Sequence, residues 1–124
     1  MPPRKLEVSG VSKVFTGRKA EVVALEHVDL HVDDGELVCL LGASGCGKST
    51  LLSIIGGLEQ PTEGTVTVDR ERVVGPGADR GMVFQAYSLF PWKTVAQNVA
   101  FGLEVARWPK ARRQERVDEL LGIM

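Results

Sequence analysis

Hydrophobic and polar positions divide the chain into a strand-rich first part and a helical end. Lys5-Leu6-Glu7-Val8 alternates polar with apolar, the period of a strand, and Val11 to Phe15 continues in the same mode. Thr16-Gly17-Arg18-Lys19 is a polar turn. Val28, Leu30 and Val32 then alternate with His27, Asp29, His31 and Asp33, which predicts a half-buried strand with its polar residues outward. Asp33-Asp34-Gly35 turns the chain into Leu37–Leu41, an apolar run expected to be a buried strand with Cys39 inside it. Thr50 to Ile55 reads as a helix stopped by Gly56-Gly57. Pro61–Gly64 is a turn, Thr65–Val68 a strand, Gly75–Asp79 a loop and Gly81–Phe84 a further apolar strand. Thr94 is placed to cap a helix, with Gln97 three residues on to complete a capping box, and that helix is expected to reach about Ala106. Pro109 suits a first helical position before a second helix over Lys110–Leu121. No repeat or low-complexity segment interrupts this order, which predicts an α/β or α+β domain.

The chemistry is concentrated between the run at Leu37–Leu41 and the helix after it. Gly42-Ala43-Ser44-Gly45-Cys46-Gly47-Lys48-Ser49-Thr50 fits the phosphate-binding pattern G-x-x-x-x-G-K-[ST]. A polyphosphate carries dense negative charge and many acceptor oxygens. Glycines at Gly42, Gly45 and Gly47 let the backbone bend around it, and the amides of Ser44 to Thr50, with Cys46 among them, would turn inward as a nest. The following helix adds unpaired N–H groups and the positive end of its dipole. Lys48 would bring a point charge to the β- and γ-phosphates, and the Ser49 hydroxyl is placed to ligate Mg²⁺. The motif therefore predicts a nucleoside triphosphate with Mg²⁺ as the ligand.

Composition changes this picture little, but it excludes some classes. The 124 residues suffice for one small domain, and a net charge of −1 gives no argument for a nucleic-acid partner. No apolar run approaches the length of a membrane span, and Met1-Pro2-Pro3-Arg4-Lys5 is not followed by a signal-peptide core. Cys39 and Cys46 have no zinc-site spacing, and two reduced thiols are expected. His27 and His31 are too few for a metal site and are expected to be solvated.

Kinases, GTPases, helicases and transport ATPases all use such a loop. The stretch from Gly42 to Leu52, with its spacing to Gly56-Gly57-Leu58-Glu59-Gln60-Pro61-Thr62-Glu63-Gly64, resembles the Walker A region of ABC-transporter ATPase subunits. Val11-Ser12-Lys13-Val14-Phe15 is similar to the upstream segment in which that family sets an aromatic residue against adenine. Gly81-Met82-Val83-Phe84-Gln85 looks like its Q-loop. More narrowly, Gly75-Pro76-Gly77-Ala78-Asp79-Arg80-Gly81, Pro91-Trp92 and Asn98-Val99 resemble the nitrate/sulfonate/taurine-type importer ATPases. The resemblance covers essentially the whole chain and implies the N-terminal part, residues 1–124, of a single ABC-type P-loop domain with an antiparallel β portion at its start.

That resemblance implies further roles. Phe15 would stack on adenine, and Gln85 would join Ser49 on Mg²⁺ and report the nucleotide state. The stretch Gln85 to Trp92, with Tyr87, Leu89, Phe90, Pro91 and Trp92, would receive a permease subunit on the cytoplasmic face of the inner membrane. A second ATP-binding subunit would close the nucleotide site, and the transported solute would be a small anion or sulfonate. The family's signature sequence, its Walker B Asp and Glu and its switch His have no match in these residues, so no catalytic residue is assigned and hydrolysis by residues 1–124 alone is expected to be negligible. A nucleotide-binding remnant without turnover is the alternative function. Plainer readings stand beside these: Phe15 as a core aromatic, Gln85 as a surface polar residue, Tyr87–Trp92 as a core under a loop. The charged residues from Arg107 to Glu119 read as a solvated helix face.

Overall fold

The computed structural model describes residues 2–124, which form two compact units, one up to Met82 and one from Val83 to Met124. In the first unit, β1 (Arg4–Thr16) and β2 (Glu21–Asp33) pair as a long antiparallel hairpin closed by the hydrogen bond from Gly17 N–H to the Ala20 carbonyl. The two short alternating segments expected at Lys5–Val8 and Val11–Phe15 are one strand. A bulge keeps it continuous: Val8 faces Leu30 but Val11 faces Val28, so β1 carries one extra residue around Gly10, whose φ is 56°. β3 (Glu63–Val68) pairs with the other edge of β1, and β4 (Glu71–Arg72) with β3, giving the order β2-β1-β3-β4. The β3–β4 turn is tied down by Lys5, whose ammonium donates to Asp69 Oδ2 at 2.7 Å; that hydrogen bond raises the Lys5 pKa.

The inward face of this sheet covers one helix. Val8 and Val11 of β1, Leu25 of β2 and Val66 of β3 bury themselves with Leu51 and Ile54 of α1 (Lys48–Ile55). Leu51 and Ile54 are three apart and so share a helix face, and burying each contributes about 1.5–3 kcal/mol. The antiparallel sheet thus fixes the helix that begins at the phosphate-loop lysine.

Two expected strands are absent. Neither Leu37–Leu41 nor Gly81–Phe84 enters a ladder, and Leu37 and Leu41 are 89% and 93% exposed. Their composition suits a buried strand, but a strand needs a neighbour to satisfy its amides, and among the described residues none pairs with either segment. Cys39 is consequently exposed rather than buried; both cysteines are free thiols. Leu40 alone of that run packs against the core named above, with Val38 half-buried.

The second unit holds a loop and two packed helices, α2 (Val95–Val105) and α3 (Lys110–Ile123). The capping box forms as expected: Gln97 N–H donates to Thr94 Oγ1 at 3.2 Å and Thr94 N–H to Gln97 Oε1 at 2.8 Å. The C-terminus of α2 is a Schellman turn, with Arg107 N–H on the Glu104 carbonyl and Trp108 N–H on that of Leu103; the residue in the left-handed conformation is Arg107, φ 58°. Pro109 is the cap rather than the first helical residue of α3, a shift of one position. The charged face of α3 is solvated, as expected. Arg116 pairs with Glu119 at 2.7 Å, Gln114 donates to Asp118 at 2.9 Å, and Arg112 stacks over the Trp108 ring at 4.7 Å.

Candidate functional site

Gly42 to Gly47 is a loop with no regular structure, and it delivers the chain directly into α1. Gly47 is the residue that makes this entry possible. It caps the helix with φ 99°, and a Cβ there would meet the Ala24 carbonyl oxygen at 2.5 Å and Leu25 Cδ2 at 2.8 Å. The loop end is therefore pressed against β2, and only glycine fits both the conformation and the space. Gly45, φ 82°, has open space around it; its requirement is conformational alone.

The loop is self-contained. Cys46 N–H donates to the Ala43 carbonyl at 3.2 Å, and Leu51 N–H opens the helical ladder on the Gly47 carbonyl at 2.9 Å. Lys48 curls back over the loop, donating to the Gly42 carbonyl, to that of Ala43 at 3.0 Å, and to Cys46 Sγ at 3.5 Å. Ser49 and Thr50 follow in the first turn of α1, Ser49 exposed and Thr50 half-buried. The N–H groups of a first helical turn have no carbonyl four residues back to bond, so this end of α1 offers donors to an acceptor-rich ligand. Gly42, Ser44, Gly45 and Cys46 are exposed around it. A glycine-rich loop with an ammonium lying over it, opening onto a helix N-terminus, fits the oxygens of a polyphosphate, and the exposed Ser49 hydroxyl fits a hard divalent cation such as Mg²⁺.

Phe15 lies at the far end of β1, opposite Val22, with 40% of its surface exposed. It is partly exposed and lies outside the buried cluster of the first unit. The Lys13 ammonium sits over its ring, 5.1 Å from the centroid.

Gln85 is in the second unit, exposed in the loop that precedes α2. The aromatic cluster after it does not form a core: Tyr87 is 100% exposed, and Leu89 and Trp92 are mostly so. Phe90 is the exception. Its ring packs edge-on against Phe101 of α2, centroids 4.7 Å apart, and lies 5.3 Å from Trp92. What shapes this loop is a residue that sequence reasoning left without a role. Asn98 in α2 accepts from Phe90 N–H at 2.8 Å, and its amide donates to the carbonyls of Phe90, Lys93 and Thr94 at 3.2, 3.2 and 2.9 Å. An asparagine in the first turn of a helix, a few residues after an aromatic loop, is the available signal: a short amide both donates and accepts, as a loop clamp requires.

A family profile described as ABC transporter matches residues 25–124. The chain belongs to the ABC transporter family. Among curated relatives, it is 52% identical over 119 residues to the nitrate import ATP-binding protein NrtD of Synechocystis sp., a match covering 96% of this chain and 45% of that protein. It is 47% identical over 137 residues to the taurine import ATP-binding protein TauB of Burkholderia pseudomallei, covering 97% and 53%. The chain thus spans about half the length of these relatives. Among solved structures, the ATP-binding cassette MJ0796, determined as a dimer in a post-hydrolysis state with ADP and Pi, superposes with a TM-score of 0.81 at 32% identity over 94% of this chain and 56% of that one. The fold is that of an ABC ATP-binding cassette: an α/β P-loop domain with an N-terminal antiparallel sheet. Among the described residues, no helix is long and apolar enough to cross a membrane.

Proposed function

We propose that the chain is the nucleotide-binding part of an ABC importer ATPase subunit, that it binds Mg·ATP at Gly42–Thr50, and that residues 1–124 are the N-terminal part of a single cassette. The observation that carries this reading is the geometry of Gly47 and Lys48, a glycine-only entry into a sheet-anchored helix whose first side chain already lies within the loop. On this reading, the backbone of Gly42, Ser44, Gly45, Cys46, Gly47 and Thr50 cradles the phosphates, Lys48 neutralises them, Ser49 holds Mg²⁺, and Phe15 takes the base. The metal supplies charge neutralisation of the β- and γ-phosphate oxygens when bound.

The importer assignment draws on the relatives named for nitrate and taurine import, and on that basis the transported solute is a small anion or sulfonate. The subunit sits on the cytoplasmic face of the membrane, pairs with a second ATP-binding subunit, and docks a permease on Gln85–Trp92. The exposure of Tyr87, Leu89 and Trp92 supports that docking face, since aromatic side chains left in water are the usual anchors of an interface. No carboxylate in these residues matches the family's water-polarising position, so the chain alone binds nucleotide without appreciable turnover.

Calorimetric titration with Mg·ATP and a phosphate-release assay at saturating nucleotide test this reading together. Saturable binding with negligible release agrees with it. Absence of binding removes the nucleotide assignment, and turnover of about 1 s⁻¹ or more, the low end for enzymes, removes the claim about hydrolysis.

A further inference from the structure

The Lys13 side chain is an anomaly on β1. It is a lysine with only 13% of its side chain exposed, and its ammonium is fully engaged. Nζ lies 2.7 Å from Glu59 Oε1, donates to the Gln60 carbonyl at 2.7 Å, and faces the Phe15 ring. An ammonium has three donors, and here carboxylate, carbonyl and π face account for all three. Lysine ordinarily carries its charge out to water along a flexible stem, so an ammonium withdrawn in this way is held for a geometric reason. Lys13 and Phe15 are two apart on a strand and share a face, which puts the cation on the ring by register alone.

What Lys13 grips is the loop that hangs from the phosphate-loop helix. Leu58 N–H donates to the Ser53 carbonyl of α1 at 2.9 Å and Glu59 N–H to the same oxygen at 3.3 Å. The same loop is stitched to the end of β1 twice more: Thr62 N–H donates to the Ser12 carbonyl at 2.8 Å, and Val14 N–H donates to Thr62 Oγ1 at 2.9 Å. A continuous set of bonded contacts therefore runs from α1, which starts at Lys48, through Ser53 and Glu59 to Lys13 and the Phe15 ring.

We propose that Lys13 is a positioning residue for Phe15: anchored on Glu59 and the Gln60 carbonyl, it fixes the ring as the platform for the nucleotide base. The inference rests on the reading of Gly42–Thr50 as a nucleotide site and adds to it the element that gives the base its share of affinity. A ring exposed on a strand end is free to change rotamer. One held under an ammonium that is itself bonded twice keeps one face turned to its partner and presents the remainder in a fixed place. Glu59 holds the ammonium on the ring, so Lys13 serves the base and not the phosphates.

The test separates base from phosphate. The full chain is titrated with Mg·ATP and with Mg·tripolyphosphate, which carries the phosphates without base or ribose, in the wild type and in Lys13→Met, Glu59→Gln and Lys13→Arg. Lys13→Met is expected to weaken Mg·ATP about three- to tenfold, the scale of one aromatic contact, and to leave tripolyphosphate unchanged. Glu59→Gln moves the same way, Lys13→Arg restores most of the loss, and in a Phe15→Leu background Lys13→Met has no further effect. Equal losses for both ligands, unchanged ATP affinity, or an additive effect with Phe15→Leu overturns the assignment. If Lys13→Met does not fold, Glu59→Gln and the Phe15→Leu/Glu59→Gln pair decide the same question. A wild-type chain that binds tripolyphosphate as tightly as ATP overturns the platform while leaving the phosphate loop standing. One that binds neither ligand overturns the nucleotide reading, and the role of Lys13 with it.

Discussion

Lys48 Nζ donates to the main-chain oxygen of Ala43 at 3.0 Å, so the cation of the phosphate loop is held by the loop's own carbonyls. These are exposed, neutral acceptors, and a polyphosphate oxygen is a charged one that competes for the same protons. Lys48→Ala is therefore expected to weaken Mg·ATP binding by about 2–3 kcal/mol, the value of a hydrogen bond to a charged group, while the fold is retained. Calorimetry on the two chains checks this, and equal affinities would detach Lys48 from the ligand.

Cys46 lies within 3.5 Å of that ammonium on an exposed loop, and Cys39 is exposed outside it. Mg·ATP is expected to slow alkylation of Cys46 and to leave Cys39 unaffected. Mass-spectrometric labelling rates at the two thiols, read in one sample, provide the comparison. Equal slowing at both would indicate a global change rather than coverage of the loop.

Gly47→Ala should be far more costly than an ordinary loop substitution. The new methyl carbon would sit 2.5 Å from the Ala24 carbonyl, and backbone cannot step aside as a side-chain tip can. With the left-handed conformation added, a loss of about 2 kcal/mol or more is expected. Urea unfolding followed by circular dichroism measures it; a midpoint unchanged from wild type would contradict the packing of Gly47 on β2.

Asn98→Ala removes four hydrogen bonds from the loop ahead of α2 and leaves the half-buried Phe90 amide unpaired. The expected cost is about 1–3 kcal/mol, localised to that loop. Amide exchange at Phe90 should accelerate while the amides of β1 stay protected. Uniform acceleration along the chain would show that Asn98 supports more than its own loop.

Arg107 holds a left-handed conformation where glycine is the usual residue. Arg107→Gly is expected to stabilise the α2–α3 unit by about 1 kcal/mol. A rise in the unfolding midpoint of that unit is the signature. Destabilisation would reveal a contact of the arginine side chain that offsets its backbone cost.

Much of this architecture was legible because it is local. The capping box at Thr94 and Gln97 involves residues three apart, and α1 follows directly from its flanking glycines. The glycine pattern of the phosphate loop was legible for the same reason, since its conformations are set within nine residues. Leu37–Leu41 was misread because its hydrophobicity reports burial, while a strand is a property of two segments, and no described segment pairs with this one. Cys39 is exposed for the same physical reason. The Lys13–Glu59 pair was hidden for a different reason: 46 positions separate the two residues, and nothing in either neighbourhood marks a lysine that turns inward. Asn98 carries no local mark of a clamp, because three of its four hydrogen bonds depend on where the loop places the Phe90 and Lys93 main chain.

The core of the first unit is made of Val8, Val11, Leu25, Leu51, Ile54 and Val66, so its last member is little more than halfway along the chain. All the sheet partners of β1 are also in place by Val68. During synthesis at about 5–20 residues per second, the remaining stretch takes roughly 3–12 s, whereas a hairpin closes in about 1–10 μs. Once these residues have cleared the ribosome, the sheet and α1 have time to assemble around this core before synthesis reaches Met124. Every residue of this core therefore precedes the second unit in the order of translation.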